Sequence, residues 1–235
     1  MLKKPAFHCE ANEHLADSLN RAAAIGFTGV ELAGNIGPSL EAEVSGQVKN
    51  SGLKLLTVWN SDSLAARAAL AERLGALYIA VDENFAEAAQ LSGAHPGLQW
   101  LICNHIGIEG PGTGLVETDH DLGRVLSEYP SFGFLLDVGH LVVAGQSIKA
   151  VIHKYRDRLV SVHLTDWAGA PSARWRYGEG FCRFGLGGAD ARTVMAALDH
   201  IDFKGWCVLG QRRPGCDPVV NAASAADYLR SITVP

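Results

Sequence analysis

The chain predicts one compact (β/α)₈ barrel over its 235 residues. Three observations point there. Short β-branched or apolar runs alternate with Ala/Leu-rich amphipathic runs through the whole sequence, which is the rhythm of a parallel α/β fold. No long linker, repeat or low-complexity stretch interrupts that rhythm, so residues 1–235 form a single domain, short for a barrel. Ionisable residues gather just after the apolar runs, at the strand edge where barrels keep their chemistry.

The elements follow in order. Strands are expected at Ala6–Cys9, Gly29–Leu32, Lys54–Val58, Leu77–Val81, Gln99–Cys103, Phe132–Leu136, Leu159–Leu164 and Trp206–Leu209. Helices are expected near 12–24, 39–50, 62–74, 83–92, 119–128, 147–156, 190–200 and 217–231. Asp190 and Asp217 stand where helix N-caps belong, and Pro218 follows Asp217 in the first helical turn. Gly26, Gly52 and Gly75 fall just past helix ends, where a left-handed residue closes the turn. An open doubly wound sheet is the alternative, but no GxGxxG follows the first strand, which argues against a nucleotide cofactor.

Composition narrows the function classes. Apolar residues make up 48% and charged residues 19%, enough for a large core and too few charges for a disordered chain. The net charge is −5 and no Lys/Arg run forms a phosphate-binding face, so nucleic acid is not an expected partner. The five cysteines are odd in number, scattered and without a CxxC pair, which argues against a disulfide framework or a zinc knot. No apolar run reaches membrane-spanning or signal-peptide length, and a cytoplasmic location is expected.

If the barrel closes, the residues after each strand line its mouth. These are His8 and Glu10, Glu31, Trp59, Asp82 and Glu83, Cys103 to His105, Asp137 to His140, His163 and Asp166, and Gln211 and Arg212. Each has a plainer reading. Asp137 would serve as a strand-end hydrogen-bond bridge, His163 as a satisfied core histidine, and His140 as a structural group behind the site. Cys103 would be a small buried hydrophobe, Trp59 rim packing, and Glu31 a loop cap.

Several segments resemble the sugar phosphate isomerase/epimerase family of xylose isomerase-like barrels. Leu135-Leu136-Asp137-Val138-Gly139-His140 with Ala144-Gly145 is similar to its LDxGH…AG segment. Lys154 to Asp166 is similar to its KYxDRIxxVHLKD segment. Ile25 to Leu32 resembles GFxGVEL, and Phe203 to Trp206 resembles GYxGW. The resemblance implies a divalent metal (Zn, Mn, Fe, Mg or Co) at the mouth, with Asp137 and His163 as two ligands. It also implies that two glutamates complete the site and move protons beside a carbonyl. This chain departs there, with Cys103 in place of the first glutamate and Gly210 in place of the second. The inosose dehydratase-like branch of the family also lacks the first.

With His105 as a third ligand and the Cys103 thiol beside it, Asp137 and His163 would form a set that suits Zn²⁺ or Fe²⁺ better than Mg²⁺. His8, Cys103 and His105 are the candidate bases. Glu31, Trp59, His140, Asp166, Arg174, Arg176 and Gln211 are the candidate substrate contacts, and Arg174 and Arg176 stand between aromatics where they would clamp an anionic group. The expected function is a metal-dependent isomerase or lyase, of dehydratase or epimerase type, acting on a small sugar, keto-polyol or related hydroxy-carbonyl compound. The alternative is a degenerate barrel that binds a ligand or supports a catalytic partner. Relatives often pair through their helical faces, so a homo-oligomer is open.

Overall fold

The structure, a computed structural model, describes residues 3–59, 63–107, 111–169, 180–210 and 217–233. Asn60, Glu109, Arg174, Arg176, Gln211, Arg212, Arg213 and Cys216 lie outside the described residues.

Eight parallel strands form a nearly closed barrel. They are β1 (Pro5–Glu10), β2 (Gly29–Ala33), β3 (Lys54–Trp59), β4 (Tyr78–Val81), β5 (Gln99–Cys103), β6 (Gly133–Asp137), β7 (Leu159–Trp167) and β9 (Trp206–Leu209). Their hydrogen-bonded order is β3-β2-β1-β9-β7-β6-β5-β4. The seam lies between β3 and β4, where the Leu77 amide reaches the Leu55 and Leu56 carbonyls at 3.1 Å. Arg67 stitches the same seam higher up: its Nη2 donates to the Ala80 carbonyl at 3.1 Å while its guanidinium lies 6.0 Å from the Trp59 ring.

The helices are α1 (Leu15–Ala24), α2 (Pro38–Ser51), α3 (Leu64–Leu74), α4 (Phe85–Ala94), α5 (Asp119–Glu128), α6 (Val138–Val143), α7 (Ile148–Lys154), α8 (Ala191–His200) and α9 (Pro218–Thr233). Asp190 caps α8 through the Arg192 and Thr193 amides, and Asp217 caps α9 through those of Val219 and Val220. Gly52 and Gly75 close α2 and α3 in the left-handed region, both at φ 74°.

Two elements were not expected from sequence. The one-and-a-half turns of α6 follow β6 without a loop, because the Asp137 side chain accepts the His140 amide and caps the turn directly. The short β8 (Phe181–Arg183) folds back antiparallel on the overlong end of β7, with Thr165 opposite Arg183 and Trp167 opposite Phe181.

The core has two layers. The larger lies between the strands and the helices and holds most of the Leu, Val, Ile and Phe side chains. The smaller fills the barrel itself with Ala6, Leu56, Tyr78, Ala80, Leu101, Cys103, Leu135 and Val208, small residues interdigitating with large. Trp206 packs against its lower end, and Gly29 makes room for it: a Cβ there would stand 2.8 Å from the indole Cζ3. Gly29→Ala is therefore expected to cost about 2 kcal/mol of stability by overpacking. Urea unfolding measures it, and an unchanged midpoint would show that Trp206 is not held rigidly.

Candidate active site

The mouth is organised from below by a buried carboxylate. Glu31, on β2, is completely buried. It accepts the Tyr78 hydroxyl of β4 at 2.6 Å and the Trp59 indole N–H of β3 at 2.9 Å. His163 Nε2 of β7 stands 3.1 Å away, and His8 Nδ1 of β1 faces it at 3.7 Å. The Tyr78 oxygen also lies 3.2 Å from the Ser161 hydroxyl. Burial would raise the Glu31 carboxyl, but the facing His163 and His8 outweigh it and hold the group below the usual carboxylate range.

His163 is clamped from both sides. Its Nδ1 lies 3.4 Å from Asp137 Oδ2, so each ring nitrogen faces a carboxylate. Burial would lower its pKa; Glu31 and then Asp137 reverse this and raise it to about 10. Asp137 is itself heavily committed. Its Oδ1 accepts the Thr165 hydroxyl at 2.5 Å and the His140 amide at 3.2 Å. Asn104 pairs with its backbone through two hydrogen bonds, of 2.9 and 2.7 Å. Burial would raise the Asp137 carboxyl, but the His140 and His163 rings and Thr165 hold it low.

The other side of the mouth carries a second imidazole pair. His105 Nδ1 lies 3.4 Å from Asp82 Oδ2, and both side chains are partly open to solvent. The His105 ring lies against His140 with centroids 4.2 Å apart, and Phe181 of β8 covers the far face of His140 at 4.8 Å. His140 Nδ1 accepts the Ile106 amide at 3.0 Å, and burial lowers its pKa to about 4, so it is a neutral support for His105.

Several expectations change on this geometry. His105 does not join Asp137 and His163 as a third ligand; it faces Asp82 instead. Glu31 and His140, expected as substrate contacts, are both buried. Asp166 is fully buried, and its carboxylate accepts the backbone N–H groups of Trp167, Gly185, Gly187 and Ala189, which leaves nothing for a ligand. Cys103 belongs to the barrel filling, and burial pushes its thiol well above the usual range, the opposite of what a base needs. Trp59 does line the mouth, its indole edge toward His163 at 6.1 Å between centroids.

Tyr78, Thr165 and Arg183 were missed from sequence, and Asn104 was placed at the mouth but given no role. Tyr78 is the one hydroxyl-bearing side chain in an apolar strand, a legible but weak signal. Arg183 belongs to the unforeseen β8. It bonds to the Ser224 hydroxyl through Nη1, and its Nε is buried without a partner.

Asp137 and His163 are the donors that a divalent metal would meet here. Asp137 Oδ2 and His163 Nδ1 are spaced as two ligands of one ion can be. Yet among the described residues no three His, Cys, Asp or Glu side chains are arranged to hold one. At the positions where glutamates were implied, Cys103 offers a protonated thiol and Gly210 no side chain. Gly210 has φ 90°, and a Cβ there would meet Ala222 of α9 at 3.2 Å rather than enter the mouth. Two donors do not fit the four-ligand site of the resemblance.

The acid–base groups stand at the C-terminal ends of the strands of a nearly closed barrel, the edge where such barrels carry their sites. The model of the xylose isomerase-like TIM barrel family matches residues 65–232, and the chain belongs to that family. It is 28% identical over 166 residues to an inosose dehydratase of Glaesserella parasuis serovar 5 (strain SH0165), covering 64% of this chain and 53% of that protein. It is 27% identical over 151 residues to an inosose dehydratase of Geobacillus thermodenitrificans (strain NG80-2), covering 58% and 49%. The chain thus spans about half the length of the curated relatives it matches. Among solved structures, 3-keto-D-glucoside 4-epimerase from E. coli superposes with a TM-score of 0.72 at 17% identity, over 98% of this chain and 100% of that one. D-allulose 3-epimerase from Methylomonas sp. gives 0.73 at 15% identity, over 98% of each. These likenesses show the fold. No helix among the described residues is long and apolar enough to cross a membrane.

Glu31→Gln is expected to cost about 3 kcal/mol, since it leaves part of a buried ion cluster uncompensated. The pH dependence has a definite sign. Glu31 and Asp137 are lowered, so their contribution is lost as pH falls through their folded-state values. His163 is raised from 6.5 to about 10, so its contribution is complete below about 6.5 and lost as pH rises toward 10. Urea unfolding of wild type and variant across this range checks both; parallel pH profiles would mean the cluster is not ionised.

Proposed function

We propose that this chain is a sugar-modifying enzyme of isomerase or lyase type that moves a proton beside a carbonyl. The observation that carries the reading is a pair of carboxylate-backed imidazoles on opposite sides of one mouth. His8 with Glu31 stands on β1, and His105 with Asp82 stands after β5. With eight strands in the barrel, β1 and β5 face each other across it. A carbon held between them can lose a proton to one face and regain it from the other, which is epimerisation. Alternatively, the second imidazole can protonate a departing hydroxyl, which is dehydration.

His8 suits the role of base because its Nε2 is buried without a partner while Nδ1 faces Glu31. His105 suits the exchange of protons with water because it is partly exposed. His163 has neither nitrogen free and acts as a fixed group that balances Glu31 and Asp137. The activities by which the similar proteins are named, inosose dehydratase and 3-keto-D-glucoside 4-epimerase, agree with a small hydroxy-carbonyl substrate.

The reading routes no step through a metal, because the donor set does not fit one. The incomplete donor set also favours a second reading, a barrel that binds a sugar-like ligand without turning it over.

The test is proton–deuterium exchange beside the carbonyl of keto-sugars and keto-polyols, followed by NMR in D₂O with EDTA present. Wild type is expected to exchange, and His8→Ala and His105→Ala are each expected to slow it by about 100-fold or more. Exchange unchanged in both variants would sink the two-imidazole mechanism; no exchange with any compound would leave the binding reading. Elemental mass spectrometry of the purified protein is expected to find far less than one divalent ion per chain. A stoichiometric ion lost in Asp137→Ala would overturn the metal-free mechanism.

A further inference from the structure

The end of the barrel away from the mouth carries two histidines that the chemistry above does not use. His153 stands in the last turn of α7 and His200 in the last turn of α8. The two helices pack against each other. Each runs back along the barrel against the direction of the strands, so both end on the face opposite the mouth. There the imidazole rings meet, with centroids 5.1 Å apart and planes inclined at 75°. His153 is half-buried and His200 is exposed.

The spacing of the rings is the one that a shared ion requires. An ion bound by imidazole lies about 2.0–2.1 Å from the nitrogen, and the ring centre lies about 1.1 Å further back, so two rings on one tetrahedral ion have centres about 5 Å apart. The setting also favours a cation. The last carbonyl groups of a helix carry partial negative charge, and two helix C-termini come together at this pair. Edge-to-face packing of two imidazoles accounts for the same ring geometry without an ion, and it is the alternative that an experiment must separate.

We propose that His153 and His200 form a metal site, a two-imidazole chelate for a late first-row divalent ion on the face of the barrel opposite the mouth. Imidazole selects Cu²⁺, Ni²⁺ and Zn²⁺ over Mg²⁺ and Ca²⁺, and Cu²⁺ is held most tightly of these. Both rings bind in their neutral form, each through one nitrogen. Two protein ligands leave the other coordination positions to water, so the ion exchanges with the solution. It is present when supplied and is removed by EDTA, and it adds nothing to the metal content of the washed protein. The site is independent of the reading of the mouth and takes no part in the proton transfer proposed there.

The experiment is calorimetric titration of the full, untagged chain, stripped with EDTA and dialysed, with Cu²⁺, Zn²⁺ and Mg²⁺ at about pH 7.5, where free imidazole is neutral. Wild type is expected to bind one Cu²⁺ and, more weakly, one Zn²⁺, and to give no heat with Mg²⁺. His153→Ala and His200→Ala are each expected to weaken Cu²⁺ binding about tenfold or more, because the second ligand of a chelate binds at high effective concentration. Asp137→Ala is expected to leave it unchanged. Thermal melts in EDTA confirm that the variants fold; with Zn²⁺ added, the melting temperature should rise in wild type and Asp137→Ala but in neither histidine variant. Copper binding that persists in both histidine variants would place the ion elsewhere and overturn the proposal. Loss in only one of them would show a single imidazole at work and overturn the chelate. Loss in Asp137→Ala would assign the ion to the mouth, and no binding in wild type would leave the two rings as edge-to-face packing; either result also overturns the site.

Discussion

The Glu31 carboxylate is the constraint around which the barrel is arranged. An ion buried this completely is tolerated only when donors surround it. Its partners come from four other strands: His8 of β1, Trp59 of β3, Tyr78 of β4 and His163 of β7. Trp59 and Tyr78 stand on the two sides of the β3–β4 seam, the place where the strand ladder is weakest. One carboxylate thus ties together strands that backbone hydrogen bonds leave nearly separate. The same interaction marks the floor of the mouth, with the barrel filling of Leu56, Leu101 and Leu135 packed inside the strands.

Most of the fold was legible because it depends on local signals. Alternating apolar runs, aspartate caps at Asp190 and Asp217, and glycines at Gly52 and Gly75 each act within a few residues, and the structure follows them. The positions that line the mouth were legible for the same reason, since a strand end is a local feature. Roles were not, because they depend on partners far away in sequence. Glu31 meets His163 across 132 positions, and Asn104 meets Asp137 across 33. Asp166 looked like a site residue by type and place, yet backbone amides of the turn that follows β8 claim it. No residue within the strand announces that.

Asp166 belongs to a wider pattern. Glu117 likewise is buried and accepts the backbone amides of Gly107, Gly112 and Gly114 in the loop after β5. Loops in a short barrel have little apolar surface with which to hold themselves, and a carboxylate facing several N–H groups is a compact substitute. Glycine is what lets the backbone come so close: at Gly187 a Cβ would lie 2.5 Å from Asp166 Oδ1. Two of the loops that frame the mouth are thus wound around a buried carboxylate each.

The turned backbone at Gly210 limits what one substitution can restore. A glutamate placed at this strand end by a single mutation would not be aimed into the mouth. A side chain restored at φ 90° would carry about 1–3 kcal/mol of strain and would point at Ala222, away from the cavity. A carboxylate donor at this position would require the backbone and the neighbouring helix to shift together. The glycine thus leaves the chemistry of the mouth to its histidines and its other carboxylates.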